Sequence, residues 1–171
     1  MKRALIVGLM AAVVTALLCS CVSASIGVKG GYFMPNEDGD VGGGQKWPES
    51  GITYGAEITT ALPGGIIELG LGAQYFTSDV TAGATDFSWQ LIPVQGTAYF
   101  DLGRIYLGGG VGYYFLNVEL DGVPESDSAM GYHGVLGFDI TDMIFLEGRY
   151  ATCMIDDTDV GGISGLLGIR F

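Results

Sequence analysis

The chain has 171 residues, one domain's worth of sequence. Its 19 acidic and 7 basic residues give a net charge of −12, which excludes a surface built to neutralise nucleic-acid phosphates. Of its 3 cysteines, Cys19 and Cys21 fall in the N-terminal leader described next, so Cys153 is left without a disulfide partner.

The first segment reads as an export signal. Lys2-Arg3 precede an apolar run from Ala4 to Leu18, and small residues close it at Val22-Ser23-Ala24. That is the charged head, apolar middle and small-residue cleavage site of a secretory signal peptide. Residues 1–24 are expected to be removed, leaving a domain of residues 25–171 with 5 basic and 19 acidic residues and a charge of −14. A second, looser candidate is a lipoprotein box at Leu18-Cys19-Ser20-Cys21, with Cys21 acylated. The apolar run is short of the roughly 20 residues that a spanning helix needs.

From Ser25 onward the chain alternates with period two, which is a strand pattern. Strand one (25–34) sets Ile26, Val28, Gly30, Tyr32 and Met34 against Lys29, and strand two (51–62) sets Ile52, Tyr54, Ala56 and Ile58 against Thr53 and Glu57. Strand three (66–77) sets Ile67, Leu69, Leu71 and Tyr75 against Glu68 and Gln74. Strand four starts near Phe87 and carries Gln95, Thr97 and Tyr99 on its polar face, and strand five alternates Ile105, Leu107, Gly109, Val111 and Tyr113 with Tyr106, Gly108, Gly110 and Gly112. Strand six (129–140) places His133 opposite Tyr132 and Leu136, strand seven (143–154) places Glu147, Arg149 and Cys153 opposite Leu146 and Tyr150, and strand eight (161–171) places Ser164 and Arg170 opposite Ile163, Leu167, Ile169 and Phe171.

Tight turns are expected at Pro63-Gly64, Leu102-Gly103 and Ile140-Thr141-Asp142, and longer links at residues 35–50, 78–86, 120–128 and 155–160. Short turns on one side and long loops on the other, joining apolar-out strands, are the signature of an eight-stranded antiparallel up-and-down transmembrane β-barrel. In lipid an open sheet edge has no water to satisfy it, so the sheet must close. The apolar face carries no charge in mid-strand, whereas a soluble lipocalin-like barrel would put charge outside and an apolar cavity inside. Tyr32, Tyr54, Tyr75, Phe100, Tyr113, Tyr132, Tyr150 and Phe171 lie toward strand ends, as interfacial girdles do.

The leader, the eight strands, the fourth strand with Pro93-Val94 feeding a glycine-rich fifth, and the terminal Phe171 together resemble the small eight-stranded outer-membrane β-barrel family. That is the OmpA/OmpX-like membrane domain and its opacity-protein relatives. The resemblance implies a porin-like protein of a Gram-negative outer membrane, with short periplasmic turns and longer extracellular loops. It implies contact with outer-membrane lipid and lipopolysaccharide, and folding by the barrel assembly machinery through an assembly signal at Ile169 and Phe171. Leu166 stands where that signal usually has glycine. A monomer without a cofactor is expected.

Lys29, Glu57, Glu68, Glu147, Arg149 and Arg170 all fall on the inner face toward the short-turn side. Buried charges persist only if paired, so these six are expected to form an ion-pair network across the lumen. Eight strands leave an interior just wide enough for side chains, which makes such a barrel a plug. A structural or surface-interaction role follows, and the alternative is a narrow channel or small-hydrophobe conduit. A lipid A-modifying enzyme is a remote alternative: His133 is the sole histidine, but Val135 stands where related deacylases have serine, and no acid and serine group with it at the rim. A three-residue turn would place His133 opposite Arg149. The acidic loops carry a speculative Ca²⁺ site at Asp38, Asp40, Asp156, Asp157 and Asp159, without the spacing of an EF-hand, and sharing of divalent cations with lipopolysaccharide phosphates is consistent with the same acids. A two-residue turn at Leu102-Gly103 would pair Asp101 with Arg104, Phe100 with Ile105, Tyr99 with Tyr106 and Gly96 with Gly109.

Overall fold

The computed structural model describes residues 24–36, 50–82, 85–120, 123–155 and 158–171. The leader expected at residues 1–24 therefore lies outside the described residues, except for Ala24, which opens the first strand. Nine strands occur among the described residues: β1 (Ala24–Pro35), β2 (Gly51–Ala61), β3 (Ile67–Ala82), β4 (Thr85–Asp101), β5 (Ile105–Leu120), β6 (Val123–Asp139), β7 (Ile144–Ile155), β8 (Thr158–Asp159) and β9 (Gly162–Arg170). All neighbours are antiparallel. Strands β1 to β7 follow one another around the wall, β7 pairs with β9, and β9 returns to β1. The result is a closed eight-stranded barrel, with β8 a two-residue flap folded back on the end of β7. At the seam Ile26 and Phe171 exchange backbone hydrogen bonds of 3.0 and 2.9 Å, which carries the pairing to the last residue.

The wall follows the alternation residue by residue. Ile52, Tyr132 and Met130 on the outer face are 71%, 68% and 67% exposed, whereas the inner-face Glu147, Arg149 and Ser164 are nearly inaccessible. An outer surface of exposed Ile, Leu, Val, Tyr and Phe needs an apolar solvent around it.

Five of the expected connections are corrected by the register. The β4–β5 pairing joins Asp101 to Tyr106, Phe100 to Leu107, Tyr99 to Gly108 and Gly96 to Val111. The turn is again two residues long but sits at Gly103-Arg104, closed by Leu102 N–H donating to the Ile105 carbonyl at 2.9 Å. Gly103 takes φ +99°, a conformation that glycine adopts without strain at the first turn position, and Asp101 Oδ1 accepts its N–H at 2.7 Å. The shift of two residues keeps every face as expected and places the Tyr99 ring opposite a glycine rather than opposite Tyr106.

Between β6 and β7 the turn is Thr141-Asp142-Met143, with Ile140 N–H on the Ile144 carbonyl and the Thr141 hydroxyl accepting from Met143 and Ile144. His133 consequently faces Ala151, and Arg149 faces Val135. The β2–β3 turn spans residues 63–66, wider than Pro63-Gly64, with Gly64 and Gly65 at φ +105° and +71°.

Two of the expected long loops are strand. β3 and β4 stay paired as far as Ala82 and Thr85, and β5 and β6 as far as Leu120 and Val123. The outer face turns polar at Thr77, Gln90, Asn117 and Ser128, but backbone pairing continues past them. Glu125 and Asp127, within the link expected at 120–128, thus sit on β6, and Glu119 sits on β5.

Candidate functional site

The lumen is filled in layers, and each layer traces to the inner-face residue of a strand. Toward the short-turn end, Lys29 from β1 reaches Glu57 of β2 at 3.1 Å and Glu147 of β7 at 2.9 Å. Arg149, two residues along β7, reaches Glu57 at 3.4 Å and Glu147 at 3.0 Å. Each cation therefore meets both carboxylates, and all four side chains are buried. The Tyr99 hydroxyl donates to Glu57 and also accepts from Arg149 at 3.3 Å. Arg149 donates to the Gln95 amide oxygen, and Gln95 Nε2 donates to the Tyr114 hydroxyl at 2.7 Å. One connected network thus crosses the barrel from β1 and β2 through β4 and β5 to β7.

Of the six charges read from the sequence, four meet in this cluster. Arg170 stays at the short-turn mouth, 3.9 Å from Asp139 and stacked on the rings of Phe145 and Tyr106 at 5.2 and 5.8 Å. Glu68 lines the same mouth and has no cationic partner among the described residues. The reason is height: Glu68 and Arg170 lie next to the turn ends of β3 and β9, too low to reach the layer that Lys29 and Arg149 share.

Glycines make room for the network. A Cβ on Gly70 would stand 2.6 Å from Glu57 Oε1 and 2.9 Å from the Tyr99 ring, and one on Gly137 would fall inside the Tyr106 ring. Alongside the ionic cluster, His133 Nε2 and the Thr97 hydroxyl are 2.9 Å apart, Thr97 lying on β4 between Tyr99 and Gln95, which both bond the cluster. His133 is only 6% exposed and lines neither lumen cavity.

The long-hairpin half of the lumen holds something the sequence reading missed. Phe33, Phe76, Trp89, Leu91, Tyr114, Leu116, Cys153, Ile155 and Val160 pack into one buried apolar cluster. Phe33 to Phe76 and Phe76 to Trp89 stack at 4.6 and 4.8 Å between centroids. The signal was present: inner-face positions change from polar to apolar once the strands pass the outer tyrosines. Within the lumen, among the described residues, the cavities are small. One of about 30 Å³ opens below the ionic cluster, and one of about 20 Å³ lies between that cluster and the aromatic rings.

At the outer rim Asp159 is a structural anchor. Its Oδ1 accepts from the backbone N–H of Cys153 and Gly161 at 3.0 and 2.9 Å, and its Oδ2 accepts from Asn36 Nδ2 and the Thr152 hydroxyl at 2.9 and 3.1 Å. Burial opposes the charge, but these four hydrogen bonds overcome it and hold the carboxyl below its ordinary range. Asp38, Asp40, Asp156 and Asp157 lie outside the described residues. Ile169 and Phe171 face outward, 42% and 70% exposed, at the short-turn end of β9 and just beyond it.

No protein-family model matches the sequence, and no curated protein matches it. Solved structures do. Ail, the attachment invasion locus protein of Yersinia pestis, in a complex with the heparin analogue sucrose octasulfate, superposes with a TM-score of 0.58 at 18% identity, covering 87% of this chain and 97% of that one. Neisserial surface protein A gives 0.55 at 16% identity over 86% and 94%. The N-terminal β-barrel domain of Pseudomonas aeruginosa OprF gives 0.51 at 11% identity over 88% and 98%. The chain therefore has the fold of the small eight-stranded outer-membrane barrels.

Proposed function

We propose that this protein is an integral outer-membrane barrel with a plugged lumen, acting through structure or surface contact rather than by transport or catalysis. The observation that carries this is the four-charge cluster of Lys29, Glu57, Glu147 and Arg149, in which each cation bonds both carboxylates across the lumen. Opening a path would separate buried charges from their partners, and removing one partner of a buried ion pair costs about 3–5 kcal/mol. The aromatic cluster behind it closes the other half. Cavities of about 30 and 20 Å³ admit a water or two and no sugar, amino acid or hydrophobe. The narrow-channel and conduit readings are correspondingly weaker. His133 is buried against Thr97 and lines neither lumen cavity, which supports a non-catalytic role.

In this reading the short-turn end faces the periplasm, the outer aliphatic and aromatic belt contacts lipid, and Ile169 and Phe171 present the assembly signal. The barrel is a monomer. The outer end is acidic: Glu119, Glu125, Asp127 and Asp159 belong to its strands, and the segments joining strands there add Glu37, Asp38, Asp40, Glu49, Asp121, Asp156 and Asp157 against Lys46 alone. Its partners are cationic groups, or lipopolysaccharide phosphates bridged by divalent cations. A sulfated ligand of the kind bound to Ail is disfavoured by like charge. Two measurements test the reading. Proteoliposomes carrying the protein should swell in isotonic arabinose no faster than empty ones, and calorimetry with sucrose octasulfate should give no heat of binding. Rapid swelling would overturn the plug, and measurable octasulfate binding would overturn the cationic-partner assignment.

A further inference from the structure

The cavity below the ionic cluster has properties that the plug does not require. It holds about 30 Å³, enough for one or two waters, and it is lined by Lys29, Glu57, Glu68, Tyr106, Asp139 and Arg170. Tyr106 is 6% exposed, and its hydroxyl has no protein hydrogen-bond partner among the described residues. A buried hydroxyl without a partner costs free energy unless water supplies the bond. Asp139 and Arg170 at the mouth keep about a quarter of their side-chain surface exposed, so the cavity communicates with the short-turn end.

Charge adds a sign. The cluster above is neutral, two cations against two carboxylates. The mouth itself holds Glu68, Asp101 and Asp139 against Arg170. Low-dielectric walls with an excess of one sign focus the field and concentrate counter-ions. In the other direction the lumen ends in the packed rings of Phe33, Phe76 and Trp89.

We propose that the periplasmic half of the lumen is a blind vestibule, entered by water and small monovalent cations from the periplasm as far as the Glu57–Arg149 layer and no farther. The vestibule rests on the plugged-barrel reading but is tested separately from it, since conductance reports the plug and side-chain accessibility reports the vestibule.

Thiol labelling of the exported protein in detergent, with adducts located by peptide mass spectrometry, decides it. Thr59 lines the lower cavity, Thr53 lines the upper one, and the native Cys153 lies in the aromatic cluster. A Thr59→Cys variant should react with Ag⁺, a thiol-reactive monovalent cation of a size the cavity admits, and so be protected from alkylation on later unfolding. Ser25→Cys, half-buried nearer the mouth, should react about tenfold or more faster with the cationic trimethylammonium methanethiosulfonate than with the anionic sulfonate. A Thr53→Cys variant and native Cys153 should stay unlabelled until the barrel is denatured. Ser25→Cys, at the position that hydrogen-bonds Thr59 at 2.7 Å, serves alone if Thr59→Cys fails the heat-shifted gel mobility test of folding. Labelling of residue 53 or Cys153 in the folded barrel would overturn the blind end. No reaction at 59 or 25 in a folded barrel would overturn the vestibule, and a faster anionic reagent would overturn its cation preference.

Discussion

At the scale of single residues the lumen is held by charges that have left water in pairs. Glu147 is shared by Lys29 and Arg149, so Glu147→Leu leaves two buried cations with Glu57 alone. The variant should lose about 3–5 kcal/mol of stability, read from urea unfolding in lipid vesicles. The double variant Lys29→Met/Glu147→Leu should lose less than the sum of its two single variants, because it removes both members of a contact. Full additivity would mean that the two side chains do not interact. Asp159 gives a pH dependence of known sign. Its folded pKa lies below the ordinary 3.8, so its contribution is fully present above that value and is lost as pH falls through the lowered folded pKa. The stability gap between wild type and Asp159→Asn should be constant at neutral pH and shrink below about pH 4. A gap that widens in acid would contradict this.

At the scale of elements, parity was legible in the sequence and register was not. The alternation of Gln95, Thr97 and Tyr99 with apolar neighbours says which side of β4 faces inward, and a slip of two residues preserves that. What selects the observed register is size: Tyr99 lies against Gly108, and Tyr106 lies over Gly137. Those fits are between strands and leave no trace in the period of any one strand. Gly137→Ala, which would drive a methyl into the Tyr106 ring, should therefore cost about 1–3 kcal/mol, again by urea unfolding. Neutrality would mean that Tyr106 moves freely. The outer face makes the opposite demand. Val111, 56% exposed between Gly96 and Tyr132, should tolerate other apolar residues, whereas Val111→Lys should cost about 2–4 kcal/mol in a bilayer. The strand extensions beyond the outer tyrosines escaped the sequence reading because the lipid-facing signal stops there while hydrogen bonding does not. The aromatic cluster escaped for another reason: Phe76, Trp89 and Leu116 lie within the expected strands, but only the closed barrel brings inner-face residues of different strands together.

At the scale of the whole molecule, one wall serves two solvents. Outside, the exposed apolar belt calls for lipid. Inside, a wet and charged half gives way to a dry aromatic one, and the boundary is the layer of Lys29, Glu57, Glu147 and Arg149. Six charges were visible in the sequence as an inner-face set, but only strand height decides that four of them share a layer and that Glu68 and Arg170 stay at the mouth. The proposed role in structure or surface contact depends on the lumen being closed in this way. The most direct test is single-channel recording of the purified barrel in planar lipid bilayers. A plugged barrel should give a silent baseline in 1 M KCl across the working voltage range. Stable, ohmic conductance steps from the wild-type barrel would contradict it.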